Sequence, residues 1–203
     1  MVLNVNSKRV RKGEQTRERL LGAAVAEFKR EGLAGADIGT IVSAAGVAHG
    51  TFFFHFPTKE HVLLELEKRE EERMAAELTR FVAAEHTVAD TLSEVLRVLE
   101  KLERRLGPRL FKDFLALHFT TKRPPAEAWS SFPFVAAVVE ELLRARERGE
   151  IPAEVDVVHS GVSFLVGLYA LLITMPEDKK ARSAALAEYL TTYRYGLRVV
   201  PRT

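Results

Sequence analysis

The chain has 203 residues, 47% of them apolar, no cysteine, and a net charge of only +2. Those values exclude a disulfide scaffold, a thiolate metal site, a fibre and a disordered chain, and leave room for one large domain or two smaller ones. The N-terminus, MVLNVNSKRVRKGEQTRERL, lacks the apolar run and small-residue cleavage site of a signal peptide, so the expected location is cytoplasmic.

Charge is unevenly spread. Residues 1–60 carry nine Lys/Arg against six Asp/Glu, and Lys8, Arg9, Arg11 and Lys12 cluster without an acid among them. A basic leader ahead of a small helical unit suits a polyanion. A solvated tail explains those four residues equally well taken alone.

From Glu14 to Glu31 the residues Leu20, Leu21, Ala24, Val25 and Phe28 recur with helical period, and Gly32 is a stop signal. Asp37 is the expected N-cap of a short helix, Ile38 to Ala45, which Gly46 ends. A second short helix begins near Ala48 and runs into FFFHF. Thr58 then precedes a long helix that carries Val62, Leu63, Leu66, Leu78 and Phe81. Beyond it, helices are expected over Val88 to Leu106, Arg109 to Thr121, Ala126 to Arg148 with Pro133 as an interruption, Asp156 to Thr174, and Pro176 to Leu197. No alternating strand pattern or repeat stands out. The fold class is all-α.

Val157 to Met175 has His159 as its one ionisable group and is long enough to be a membrane-span candidate. Its Ser160, Ser163, Gly161 and Gly167 argue for a helix pressed against others, in a core or a dimer. No membrane is therefore expected as a partner.

The stretch AAGVAHGTFFFHFPTKE, Ala44 to Glu60, holds three consecutive phenylalanines. Successive helical side chains stand about 100° apart, so three adjacent rings cannot share one core face. Two short helices joined by a glycine-containing turn after a longer helix describe a helix-turn-helix. Phe52 and Phe56, four apart, are the expected anchor. Ala48, His49 and Thr51 are the small and polar residues suited to base edges, and Phe53 and Phe54 point elsewhere.

The segment TRERLLGAAVAEFKREGLAGADIGTIVSAAGVAHGTFFFHFPTKEHVLLEL, about Thr16 to Leu66, resembles the N-terminal domain of the TetR (tetracycline-repressor) family of bacterial transcriptional regulators. The ordered set, helix then IVSAAGVAHGT, aromatics, HF and TKE, carries the resemblance. It implies a three-helix DNA-binding head over residues 1–60 and a helical effector-binding and dimerisation body over 61–203. It also implies a double-stranded DNA operator, repression relieved by a small-molecule effector, and a homodimer. By the same resemblance Ala48, His49, Gly50 and Thr51 approach the major groove, Phe53 and Phe54 face the DNA backbone, and His55 and Lys59 contact phosphate. Thr40 is a weaker candidate. Where the family usually carries tyrosine this chain has Phe53 and Phe54, and His49 stands where lysine or arginine is common. Both changes reduce backbone affinity, which the basic leader can offset.

No catalytic motif emerges: there is no G-x-S-x-G, no phosphate-cradling glycine loop and no H-E-x-x-H. No enzyme activity, cofactor or metal is expected, and Glu70, Glu71 and Glu72 read as solvated surface. In the body, Phe111, Phe114, His118, Trp129 and Phe132 concentrate aromatic character in one window. With Phe164 and Tyr169 they are the candidate pocket for a largely apolar effector, although core packing accounts for them about as well. The Val157–Met175 helix with Ala184, Leu186, Tyr189, Leu190 and Tyr193 is the expected dimer surface. Two alternatives carry different chemistry: a helical enzyme or metabolite-binding protein with a vestigial head, and a membrane-associated protein using the Val157–Met175 helix.

Overall fold

The computed structural model describes residues 3–119, 131–175 and 178–197, with side chains from Arg11 onward. Helix α1 spans Leu3–Gly35, so it begins well before Glu14, where the apolar stripe places it. The added turns hold Lys8, Arg9, Arg11 and Lys12, which favour helix, beside Asn4, Asn6, Ser7 and Gly13, which do not. Regular helix ends at Gly32, whose φ of 75° lies in the left-handed region that side chains resist.

Helix α2 (Ile38–Ala45) has the boundaries its caps dictate. The Asp37 carboxylate accepts from the Thr40 N–H at 2.7 Å, and Gly46, at φ 64°, donates its N–H to the Ser43 and Val42 carbonyls. The same N–H and hydroxyl bonds from Thr40 hold the Asp37 carboxyl below the ordinary carboxylate range. Helix α3 (His49–His55) follows after Ala48, and α4 (Lys59–Val82) after Thr58. Next come α5 (Val88–Leu106) and α6 (Pro108–Ala116), which tightens into a 3-10 turn over Leu117–Phe119, and the expected end at Thr121 lies outside the described residues. Helix α7 (Pro133–Glu147) starts at the proline that the sequence offers as an interruption, because Pro is tolerated at the first helical position. Helices α8 (Val157–Thr174) and α9 (Lys179–Gly196) complete an all-α chain with no strand among the described residues, and each starts on an Asp cap.

The chain divides into two compact units, and the division is not at one point in sequence. The first unit is residues 1–68 together with Leu106–Phe114; the second is Arg69–Arg105 together with Leu115–Thr203. In the first, Leu20, Ala24, Phe28, Ile41, Phe52, Phe56, Val62 and Leu63 are buried, with Leu110, Phe111 and Phe114 from α6. Helix α6 is tied to the end of α1 by polar bonds: Asp113 Oδ2 accepts the Leu33 N–H at 2.6 Å, and Arg109 donates to the Arg30 carbonyl.

In the second unit α7 packs on α8, and α8 on α9. Helix α8 is long and apolar enough to cross a membrane by length and composition alone. Its glycines are explained by close packing. A Cβ at Gly161 would stand 3.0 Å from Val139 Cγ2, and one at Gly167 would overlap the Tyr189 hydroxyl. That hydroxyl donates to the Phe164 carbonyl at 2.8 Å, which locks α9 onto α8.

Candidate nucleic-acid interface

The three phenylalanines of α3 separate as the helical angle requires. Phe52 is 0% and Phe56 1% exposed, whereas Phe53 is 45% and Phe54 84% exposed. A ring so exposed in a small helical unit is unusual enough to mark a contact surface. Ala48, His49 and Gly50 are exposed at the N-terminal end of the same helix, and Thr51 is half-buried. The His49 ring lies 5.5 Å from that of Phe53, and the His55 ring 5.1 Å from that of Phe54. A Cβ at Gly50 would meet nothing within 4 Å, so this glycine leaves the outer face flat.

Arg17, which the sequence pattern does not single out, fixes the far end of α3. Its guanidinium donates to the His55 carbonyl at 2.9 Å and to Glu65 at 2.8 Å, and lies 4.3 Å from the centre of the Phe56 ring. One planar cation thereby joins α1, α3 and α4. Burial, and after it the nearby Arg17 charge, push the His55 ring below its ordinary pKa. Arg17→Lys is expected to lower the melting temperature of the first unit, because an ammonium cannot hold this fork and stack together. An unchanged melting curve would mean the three contacts are incidental.

Two of the expected contact residues already serve the fold. The Lys59 ammonium donates to the Ala34 and Ala36 carbonyls at 3.2 and 2.9 Å, satisfying the end of α1. The Thr40 hydroxyl donates to Asp37 Oδ2 at 3.0 Å, within the cap of α2.

Residues 20–66, which contain α2, α3 and the anchoring phenylalanines, match the family model for bacterial regulatory proteins of the tetR family. The family match thus falls on the N-terminal three-helix segment. It is 22% identical over 179 residues to the HTH-type transcriptional regulator UidR of Escherichia coli (strain K12), covering 87% of this chain and 90% of UidR. It is 28% identical to the uncharacterized HTH-type regulator YdgC of Bacillus subtilis (strain 168), covering 88% and 92%. Its fold is similar to that of Thermus thermophilus FadR, a TetR-family repressor solved with lauroyl-CoA, at TM-score 0.69 and 24% identity over 92% of this chain and 97% of FadR. It is also similar to that of RolR solved with resorcinol, at TM-score 0.67 and 20% identity over 95% and 98%. The family model and these curated relatives are those of DNA-binding transcriptional regulators.

The expected effector residues are shared between the two units. Phe111 and Phe114 are buried with the first unit, while His118, Phe132, Phe164 and Tyr169 fall in the second. Spacing at i, i+3, i+7 defines a helix face but not which neighbours that face meets. Phe164 belongs to a separate aromatic group, its ring 5.8 Å from Tyr189 and 4.9 Å from Tyr193. Trp129 lies outside the described residues. His118, Phe132 and Tyr169 do come together, with ring centres 6.4 Å and 4.7 Å from that of His118. His118 also meets Glu71, 1% exposed, whose Oε1 is 3.5 Å from His118 Nε2. The expectation of solvated glutamates is therefore corrected: Glu70 and Glu71 are buried and only Glu72 is exposed. The signal is positional. Leu63, Glu67, Glu70, Met74 and Leu78 continue one inward stripe of α4.

Proposed function

We propose that this regulator is a cytoplasmic homodimeric repressor, released from its operator when a small, largely apolar effector enters the second unit. The observation that carries the DNA-binding half is the division of α3 into a buried anchor, Phe52 and Phe56, and an exposed aromatic and polar face. On this reading Ala48, His49, Gly50 and Thr51 meet base edges, Phe53 and Phe54 lie along the sugar–phosphate, His55 and Lys59 face phosphate, and Thr40 stands at the rim. A helix-turn-helix of this size reads a short half-site, and two-fold pairing reads two. The packing of α8 against α7 and α9 supports a core or dimer role for that helix over a membrane span. The effector half is supported by the ligands in the FadR and RolR structures, and by the buried polar and aromatic group around His118. The relatives named are regulators, which favours this reading over an enzyme.

The test is selection of a bound sequence from random duplexes, followed by affinity against salt. Lys59→Ala is expected to lower the magnitude of the salt slope by roughly 0.9 per subunit, weakening all sequences alike. It is also expected to reduce the stability of the first unit, since two carbonyls lose their donor. A lower melting temperature with an unchanged slope would assign Lys59 to the fold alone. Failure to enrich any sequence would remove the function itself.

A further inference from the structure

We propose that the effector carries a neutral hydroxyl which it donates to Glu71, so that the regulator answers to an apolar phenol or alcohol and rejects the matching carboxylate and acyl-CoA. This rests on the reading of the second unit as an effector site. Helix α4 delivers Glu71 to the interior, and only 1% of the residue stays exposed. Its two oxygens are treated differently. Oε2 accepts the Phe134 N–H at 2.9 Å, one of the donors that the first turn of α7 leaves without an intrahelical partner. Oε1 accepts no hydrogen bond among the described residues, and the His118 ring nitrogen stands 3.5 Å away, at ion-pair distance.

A buried carboxylate oxygen without a donor is costly, and the cost returns when a donor arrives. A ligand hydroxyl supplies one. The His118 ring beside that oxygen has two aromatic neighbours of its own, Tyr169 edge-on at 4.7 Å and Phe132 at 6.4 Å between ring centres. Such a group suits a flat ring or a chain carrying the hydroxyl. A carboxylate in the same place would bring two like charges together where the dielectric is low, which opposes binding.

The experiment uses the full-length protein and its selected operator duplex. A series of 4-alkylphenols from butyl to octyl is titrated beside the matched 4-alkylbenzoates and lauroyl-CoA, reading operator release and melting temperature. The same titrations are run on Glu71→Gln, which keeps an oxygen for the Phe134 N–H but removes the charge. The parent is expected to respond to at least one phenol about tenfold or more tighter than to its benzoate, and not to lauroyl-CoA. In E71Q that preference is expected to narrow by about tenfold, the benzoate gaining while the phenol loses. A purely structural Glu71 would weaken both series equally, and that result overturns the proposal. Benzoates or lauroyl-CoA releasing the operator as well as the phenols would overturn it too, while leaving the effector reading in place. If neither series nor lauroyl-CoA shifts the melting temperature of the parent, both the proposal and the apolar-effector reading fall.

Discussion

Phe52→Ala is expected to abolish operator binding by unfolding the first unit, whereas Phe54→Ala leaves the fold intact and weakens binding only. Phe52 is wholly enclosed, so its truncation removes transfer free energy and leaves a cavity, at a cost of about 3–5 kcal/mol. That is a large share of the stability of a small helical unit. Phe54 is 84% exposed and loses little on truncation. The neighbouring Phe53 separates the two faces further. Phe53→Tyr adds a hydroxyl at a solvent-facing edge and is expected to tighten operator binding by about 1 kcal/mol or somewhat more through a charge-assisted bond to phosphate. Phe52→Tyr buries the same hydroxyl without a partner and is expected to destabilise the unit. Thermal melts and operator titrations of the four variants give the outcome. If the Phe52 and Phe53 changes behave alike, the two faces of α3 have been assigned wrongly.

A second large effect is expected at α8. Val166 is 48% exposed and Leu168 is fully enclosed within a single chain, so two neighbouring apolar residues report different things. Val166→Glu is expected to give a folded monomer whose operator affinity falls by about a hundredfold or more, since the two half-sites are no longer held together. Leu168→Glu places an unpaired charge in the interior, at about 3–5 kcal/mol, and is expected to give insoluble or unfolded protein. Leu168 and Leu186 are therefore core residues of one chain, and the outward residues of α8 are the better probe of pairing. Sedimentation equilibrium decides the matter. A Val166→Glu protein that remains a dimer would move the interface away from α8.

What could be read from the sequence depended on the range of the interactions involved. The limits of α2 were legible because Asp37, Thr40 and Gly46 act within one helical turn. The burial of Phe52 and Phe56 against the exposure of Phe53 and Phe54 followed from helical angle alone. The start of α1 was not legible because its basic, polar segment carries no apolar periodicity. The burial of Glu70 and Glu71 is set by their place on α4, which residue type alone does not disclose. Arg17 was invisible because its three partners lie 38 to 48 residues away, and nothing local marks an arginine that will bridge helices. The pairing of His118 with Glu71, and of Phe111 and Phe114 with the first unit, is likewise a property of tertiary packing.

The contribution of Leu106–Phe114 to the first unit bears on how such proteins can be recombined. The family-model match ends at residue 66, and a gene cut there looks as though it would release a portable DNA-reading cassette. It would not. The excised fragment would lack Asp113 and Arg109, leaving the Leu33 N–H and the Arg30 carbonyl stranded at the end of α1. It would also lose the apolar cover of Leu110, Phe111 and Phe114. A chimaera that grafts this specificity onto another sensor must therefore carry residues 106–114 along with residues 1–68, as two inserts in one reading frame.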